Sequence, residues 1–175
     1  MKTRVKKYLL ASIIIVLVII LAILIKMNKE GFEEKAQLNS DAIFTVLDNG
    51  QEVRTYTMEE IKSLGETRFK ADLKSSGKEA VEYEYTGVLL KKIVLDSGIS
   101  LDNKSLAIVS AIDGYLVPLS MDKLLDDQNV YLAYERNGEL MANREEGGDG
   151  PYQMIISKDS FSQYWCKYAY SIELQ

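Results

Sequence analysis

From Tyr8 to Ile25 the chain reads YLLASIIIVLVIILAILI, 18 residues without a charge, and no other feature limits its fate so sharply. As a helix at 1.5 Å per residue the run covers roughly 27 Å, close to the thickness of a bilayer's hydrocarbon core. Its Ile and Val favour strands in water, but inside lipid only a helix satisfies every backbone N–H and C=O from within one segment. The run therefore predicts a transmembrane anchor over 8–25. A cleavable signal peptide is the rival reading, with an apolar region of about 7–15 residues followed by small ones. Here Lys26, Met27 and Asn28 follow, and no lipid-attachment Cys lies nearby. Lys2, Arg4, Lys6 and Lys7 precede the run, whereas Lys26, Lys29 and Lys35 beyond it are diluted by Glu30, Glu33 and Glu34. Positive flanks stay inside, so residues 1–7 are expected as a cytoplasmic tail and the remainder outside the cell membrane.

Charge separates the two parts further. Residues 1–30 hold six Lys or Arg against one Glu, a balance of +5, so residues 31–175 carry −10 of the overall −5. A domain that acidic repels phosphate backbones, which argues against nucleic acid as a partner. Cys166 is the one cysteine, so no intramolecular disulfide and no thiol cluster is available. Histidine is absent altogether, which removes the usual general base and the commonest metal ligand.

Residues 26–40 (KMNKEGFEEKAQLNS) sustain no apolar period and read as a tether, leaving 41–175 as one globular domain. Ala42–Leu47 and Val53–Tyr56 flank Asn49-Gly50, a hairpin signal. Thr57 with Glu60 forms a capping box for a short helix that Gly65 can close. Arg68–Ser75 and Val81–Thr86 alternate with period two, as half-buried strands do, and Ser76-Gly77 separates them. Leu89, Leu90, Ile93 and Val94 fall at helical spacing before Gly98. Leu106–Ile112 suits a central strand, turned by Asp113-Gly114 into Tyr115–Leu119, and Ser120 can cap a helix to Leu125. Val130–Glu135 is a strand that Asn137-Gly138 turns toward 139–141. A loop over 143–150 precedes a strand at 152–156, and Tyr164–Leu174 reads as the last strand. No repeat recurs, and the pattern predicts a single α+β unit, richer in strand than in helix, after one transmembrane helix.

Four segments then line up in a familiar order: Tyr85-Thr86-Gly87-Val88-Leu89-Leu90, Asp113-Gly114-Tyr115, Ala133-Tyr134-Glu135-Arg136-Asn137-Gly138-Glu139-Leu140 and Gly150-Pro151-Tyr152. Together they resemble the molybdopterin-binding domain of sulfite-oxidase-type oxidoreductases, over roughly Thr67–Leu174. The resemblance implies that family's mixed, sheet-rich fold. It also implies a cysteine thiolate on the strand before the aromatic-x-Gly-Val segment, since a soft, deprotonated sulfur suits molybdenum. That strand, Arg68–Ser75, contains no Cys, and Gln153 or its neighbours stand where the family usually has an arginine after the Gly-x-Pro segment. No catalytic residue is therefore carried over, and no metal ligand is assigned.

Tyr115 and Tyr152 flank glycine-containing turns and are candidate stacking platforms for a flat ligand, although cross-strand packing accounts for most strand tyrosines. Arg136 and Lys167 are the basic residues suited to an anionic ligand, and Tyr115, Tyr152 and Arg136 form the expected ligand groove. Both cations also suit a solvated surface. Glu145, Glu146 and Asp149 offer carboxylates for a hard cation without the spacing of an EF-hand, so a solvated loop is the simpler reading. Cys166 reads as a small buried hydrophobe, or as one half of an intermolecular disulfide. The expectation is a membrane-anchored, extracytoplasmic binding or accessory module with a molybdopterin-oxidoreductase-like fold and no molybdenum catalysis. Its partners would be the bilayer through Tyr8–Ile25, a small flat or anionic ligand, and a membrane or envelope protein. No cofactor is predicted. The alternative is a membrane-tethered oxidoreductase or electron-transfer subunit that holds molybdopterin, or another pterin, through an altered ligand set.

Overall fold

A computed structural model describes residues 2–74 and 77–175, with the side chains of 2–12 and Glu30 outside the description. The chain divides into two units, 1–36 and 37–175. Helix α1 runs from Lys2 to Ser40. The expected tether is thus helical, which corrects the reading of 26–40. Glu, Lys, Ala and Gln are good helix formers that need no buried face, and Lys29 pairs with Glu33 one turn on at 3.4 Å. No helix among the described residues is long and apolar enough to cross a membrane, and residues 8–12 of the expected span lie outside the described side chains.

The second unit holds two five-stranded sheets. The first has the order β2-β1-β10-β5-β6, built from β1 (Phe44–Asp48), β2 (Gln51–Tyr56), β5 (Leu106–Ala111), β6 (Leu116–Ser120) and β10 (Ala169–Leu174). Asn49 and Gly50 take positive φ values of 47° and 82°, the mirror-image turn that Asn-Gly favours, and fix the β1–β2 hairpin. β10 lies between β1 and β5, parallel to the former and antiparallel to the latter. The second sheet has the order β3-β4-β7-β8, from β3 (Thr67–Leu73), β4 (Val81–Leu89), β7 (Val130–Arg136) and β8 (Glu139–Leu140), with β9 (Gln153–Ile156) also paired to β7. The expected separator Ser76-Gly77 lies partly outside the described residues, which omit Ser75 and Ser76.

Three short helices follow their sequence signals. α2 (Met58–Ser63) carries the complete capping box: Glu60 N–H donates to Thr57 Oγ1, and Thr57 N–H donates to the Glu60 carboxylate. α3 (Leu90–Asp96) buries Leu90, Ile93 and Val94, and α4 (Met121–Leu125) is capped by Ser120. One apolar core draws on both sheets and these helices, from Phe44 and Val46 through Val88 and Leu132 to Ile172.

The last strand is shorter than the sequence suggests. Residues 162–164 form a 3-10 turn, Cys166 makes a single antiparallel bridge to Met154, and Tyr168 adopts a φ of 55° before β10 begins at Ala169. A left-handed residue breaks the extended path, and a tyrosine there gives no sign of it in the sequence.

Candidate functional site

The glycine of Tyr85-Thr86-Gly87-Val88 serves the sheet directly. A Cβ on Gly87 would lie 2.5 Å from the Leu132 carbonyl oxygen and 2.7 Å from Ala133 Cα, at the register shift between Thr86 and Gly87 where β7 bulges at Tyr134 against β4. Only glycine admits that approach. Gly87 is thus opposite Ala133, and Ala133 is opposite Gln153 on β9. The Met154–Cys166 bridge brings Lys167 alongside Gln153. Because the pleat alternates, these residues share one face of the second sheet, and Tyr85, two residues before Gly87 and paired with Arg136, shares it too.

Asp149 reaches over that face from the 143–150 loop. Its carboxylate accepts from Arg136 Nη1 at 3.0 Å and pairs with Lys167 Nζ at 2.9 Å. Burial works against the charged form, but the hydrogen bonds and charges of Lys167 and Arg136 outweigh it and hold the carboxyl below the usual aspartate range. The Arg136 guanidinium also stacks over the Tyr83 ring at 5.4 Å. A cleft of about 160 Å³ opens at Arg136, lined also by Glu139, Leu140, Met141, Ala142, Gly148 and Asp149.

Two atoms beneath this cluster are unusual. Tyr85 Oη and Gln153 Oε1 are buried and have no well-aligned hydrogen-bond partner, although buried polar groups are nearly always paired. Burial pushes the Tyr85 hydroxyl up to about 12, while the Arg136 guanidinium, close enough to act on the oxygen by its charge and by a weak, poorly aligned hydrogen bond, pulls in the opposite direction. The Trp165 ring meets Tyr85 edge-on, with centroids 5.9 Å apart.

Of the expected groove, Arg136 lines the cleft and the two tyrosines do not. Tyr152 is fully buried: its ring packs edge-on against Phe44 and its hydroxyl donates to the Ala42 carbonyl at 2.9 Å. Tyr115 is exposed in its turn, where its hydroxyl donates to the Gln163 carbonyl at 2.8 Å. In the acidic loop, Asp149 is occupied by Arg136 and Lys167, and the Glu146 carboxylate accepts from Asn143 N–H. Among the described residues no group of three or more His, Cys, Asp or Glu is placed to hold a metal ion. Lys167 and Arg136, each singled out as a cation in the sequence, meet on Asp149, whereas that meeting, Tyr85 and the bridging role of Asp149 carry no sequence signal, since all depend on which strands become neighbours.

On the strand expected to supply sulfur, β3, the side chains are Thr67, Arg68, Phe69, Lys70, Ala71, Asp72 and Leu73. Phe69 stacks on Tyr131 at 3.9 Å between centroids and closes that end of the face with carbon. Beside the strand's other end a cleft of about 230 Å³ is lined by Lys70, Asp72, Lys74, Glu82, Asp159 and two serines, with Ala71 and Ala80, and offers no sulfur. Cys166 is fully buried off β3, and burial, helped by the Asp113 charge, pushes its thiol up to about 12.

The fold has a solved counterpart. The crystal structure of the sulfane dehydrogenase SoxCD from Paracoccus pantotrophus superposes with a TM-score of 0.61 at 18% identity, covering 77% of this chain and 38% of that one. This chain thus spans well under half of that chain's length. No curated protein matches the sequence. The family model for the oxidoreductase molybdopterin-binding domain matches residues 37–175, the whole of the second unit. With the ordered Gly87-Val88, Asp113-Gly114-Tyr115, Asn137-Gly138 and Gly150-Pro151 segments on that sulfite-oxidase-type fold, the chain belongs to the oxidoreductase molybdopterin-binding domain family.

Proposed function

We propose that this protein is a membrane-anchored, extracytoplasmic binding or accessory module that keeps the family's fold without molybdenum catalysis. The donor set carries this reading. A thiolate-ligated molybdenum centre needs a deprotonated sulfur on the strand before Gly87, and β3 presents none. The one thiol is sealed in the core beside Met154, away from β3, so it does not stand where the missing ligand would be. These residues do not fit the group, and no metal-dependent step follows from them.

Anchoring is supported by the uncharged run and the asymmetry of its flanks. From Ile13 to Ile25 the large apolar side chains of α1 are exposed all round, a surface that water penalises and lipid accepts.

One observation favours the alternative, a pterin-dependent oxidoreductase with an altered ligand set. Gln153, at the place the resemblance gives to an arginine, has a buried carbonyl oxygen without a partner, as a residue does when it faces a ligand. One experiment separates the two readings. The full chain is purified from membranes in mild detergent, and its metal content and absorption spectrum are recorded. The accessory reading expects a colourless, molybdenum-free protein; stoichiometric molybdenum or a pterin chromophore would overturn it.

A further inference from the structure

We propose that Arg136 and Lys167, with Tyr85 and Gln153 beneath them, form a binding site for a small hydroxycarboxylate, and that Asp149 is a tethered carboxylate competing for it. The proposal rests on the reading of a binding module and names its ligand class.

The geometry starts with charge. Two cations converge on the Asp149 carboxylate in a domain that is otherwise strongly acidic, with the Glu139 carboxylate on the neighbouring cleft, so this pair marks the point where an anion is best accepted. Asp149 shows which anion the cations are spaced to hold, since its oxygens meet Arg136 at 3.0 Å and Lys167 at 2.9 Å. A planar carboxylate from solution matches the same donors.

The floor supplies specificity. Gly87 and Ala133 are small, so the face is low at that point, and the two orphaned atoms stand on the same face. Tyr85 Oη can donate to a carboxylate oxygen, whereas Gln153 Oε1 can only accept. A ligand with a hydroxyl beside its carboxylate satisfies both, and a plain carboxylate leaves the glutamine oxygen unpaired. The cleft beside Arg136, about 160 Å³, is lined by Glu139 and Asp149 but not by Lys167, Tyr85 or Gln153, so the ligand takes the place of the Asp149 carboxylate and is held to about that size. The Asp149 backbone is held by Tyr168 N–H on its carbonyl and by the neighbouring Gly150 N–H on Ala142, so its carboxylate leaves the cations by turning about its own side-chain bonds.

The test uses the full chain in detergent, with glycolate and acetate as probes and chloride as the matched-ionic-strength control. Trp165 is the single tryptophan and touches Tyr85, so its emission reports the site, and the thermal midpoint gives an independent reading. Both carboxylates should saturate and chloride should not, with glycolate tighter by about two- to tenfold, the worth of one hydrogen bond. Gln153→Met should erase that preference, Arg136→Gln should weaken both probes at least tenfold, and Asp149→Asn should tighten both by removing the competitor. A merely structural Asp149 could not produce tighter binding. The proposal is overturned if wild type and Asp149→Asn both fail to saturate, or if Arg136→Gln binds like wild type. Where the Asp149 variant does not fold, the wild-type titration decides alone. Molybdenum content is measured on the same sample, so a metal-loaded protein defeats the accessory reading, while a metal-free protein that ignores glycolate defeats only this site.

Discussion

Gly87 lies so close to Ala133 that a single added methyl would sit 2.7 Å from the alanine's Cα and 2.5 Å from the preceding carbonyl oxygen. Both atoms belong to backbone, which has no rotamer through which to yield. Gly87→Ala should therefore separate β4 from β7 locally and lower stability by about 1–3 kcal/mol, the usual cost of overpacking. Urea unfolding in detergent, followed by Trp165 emission, measures it, and an unchanged midpoint would show that the bulge can relax.

Tyr152 offers a test of core against site. Tyr152→Phe keeps the ring on Phe44 and removes only the bond to the Ala42 carbonyl, so it should lower stability by about 0.5–1.5 kcal/mol. Glycolate binding should not change. A loss of binding with stability intact would return Tyr152 to the ligand groove.

The Cys166 thiol, raised to about 12, should be inert to a thiol-reactive disulfide at pH 8 in the folded protein and react promptly in denaturant. The ratio of the two rates reads the opening equilibrium of the segment that Met154 pins. Rapid labelling of the native protein would place the sulfur at the surface and revive the intermolecular disulfide.

Asp149 gives a pH dependence with a definite sign. Its folded pKa lies below the unfolded value of about 3.9, so its ion pairs stabilise fully above that value and are lost as pH falls through the lower, folded one. Between pH 6 and pH 2.5 the wild type should lose more stability than Asp149→Asn, which has no proton to take up there. Equal losses would assign the acid sensitivity to other carboxylates.

How far the sequence carries depends on the range of the interaction. Asn49-Gly50, Asn137-Gly138 and the Thr57–Glu60 box are legible because each is settled within four residues by backbone sterics or one hydrogen bond. The ordered motifs likewise disclose the family. The helix over 26–40 buries no face that would betray it in an apolar pattern; rich in Glu, Lys and Ala, it persists on propensity and i,i+4 pairs. Arg136 and Lys167 can be chosen as cations from composition alone, but their sharing of Asp149 cannot, because it follows from β9 settling between β7 and the segment around Cys166. The orphaned atoms of Tyr85 and Gln153 are further removed still, being defined by what every neighbouring strand fails to offer.

β10 lies between β1 and β5, yet the ribosome makes it last of the described strands. At about 5–20 residues per second, β1 waits on the order of 10 s before its parallel neighbour exists. During that interval Phe44, Val46, Ala107 and Val109 belong to two unfinished strand edges that the mature molecule never displays. Translation halted short of residue 169 would make the exposure permanent, turning a passing hazard of biosynthesis into a sticky product fit for a chaperone or a protease.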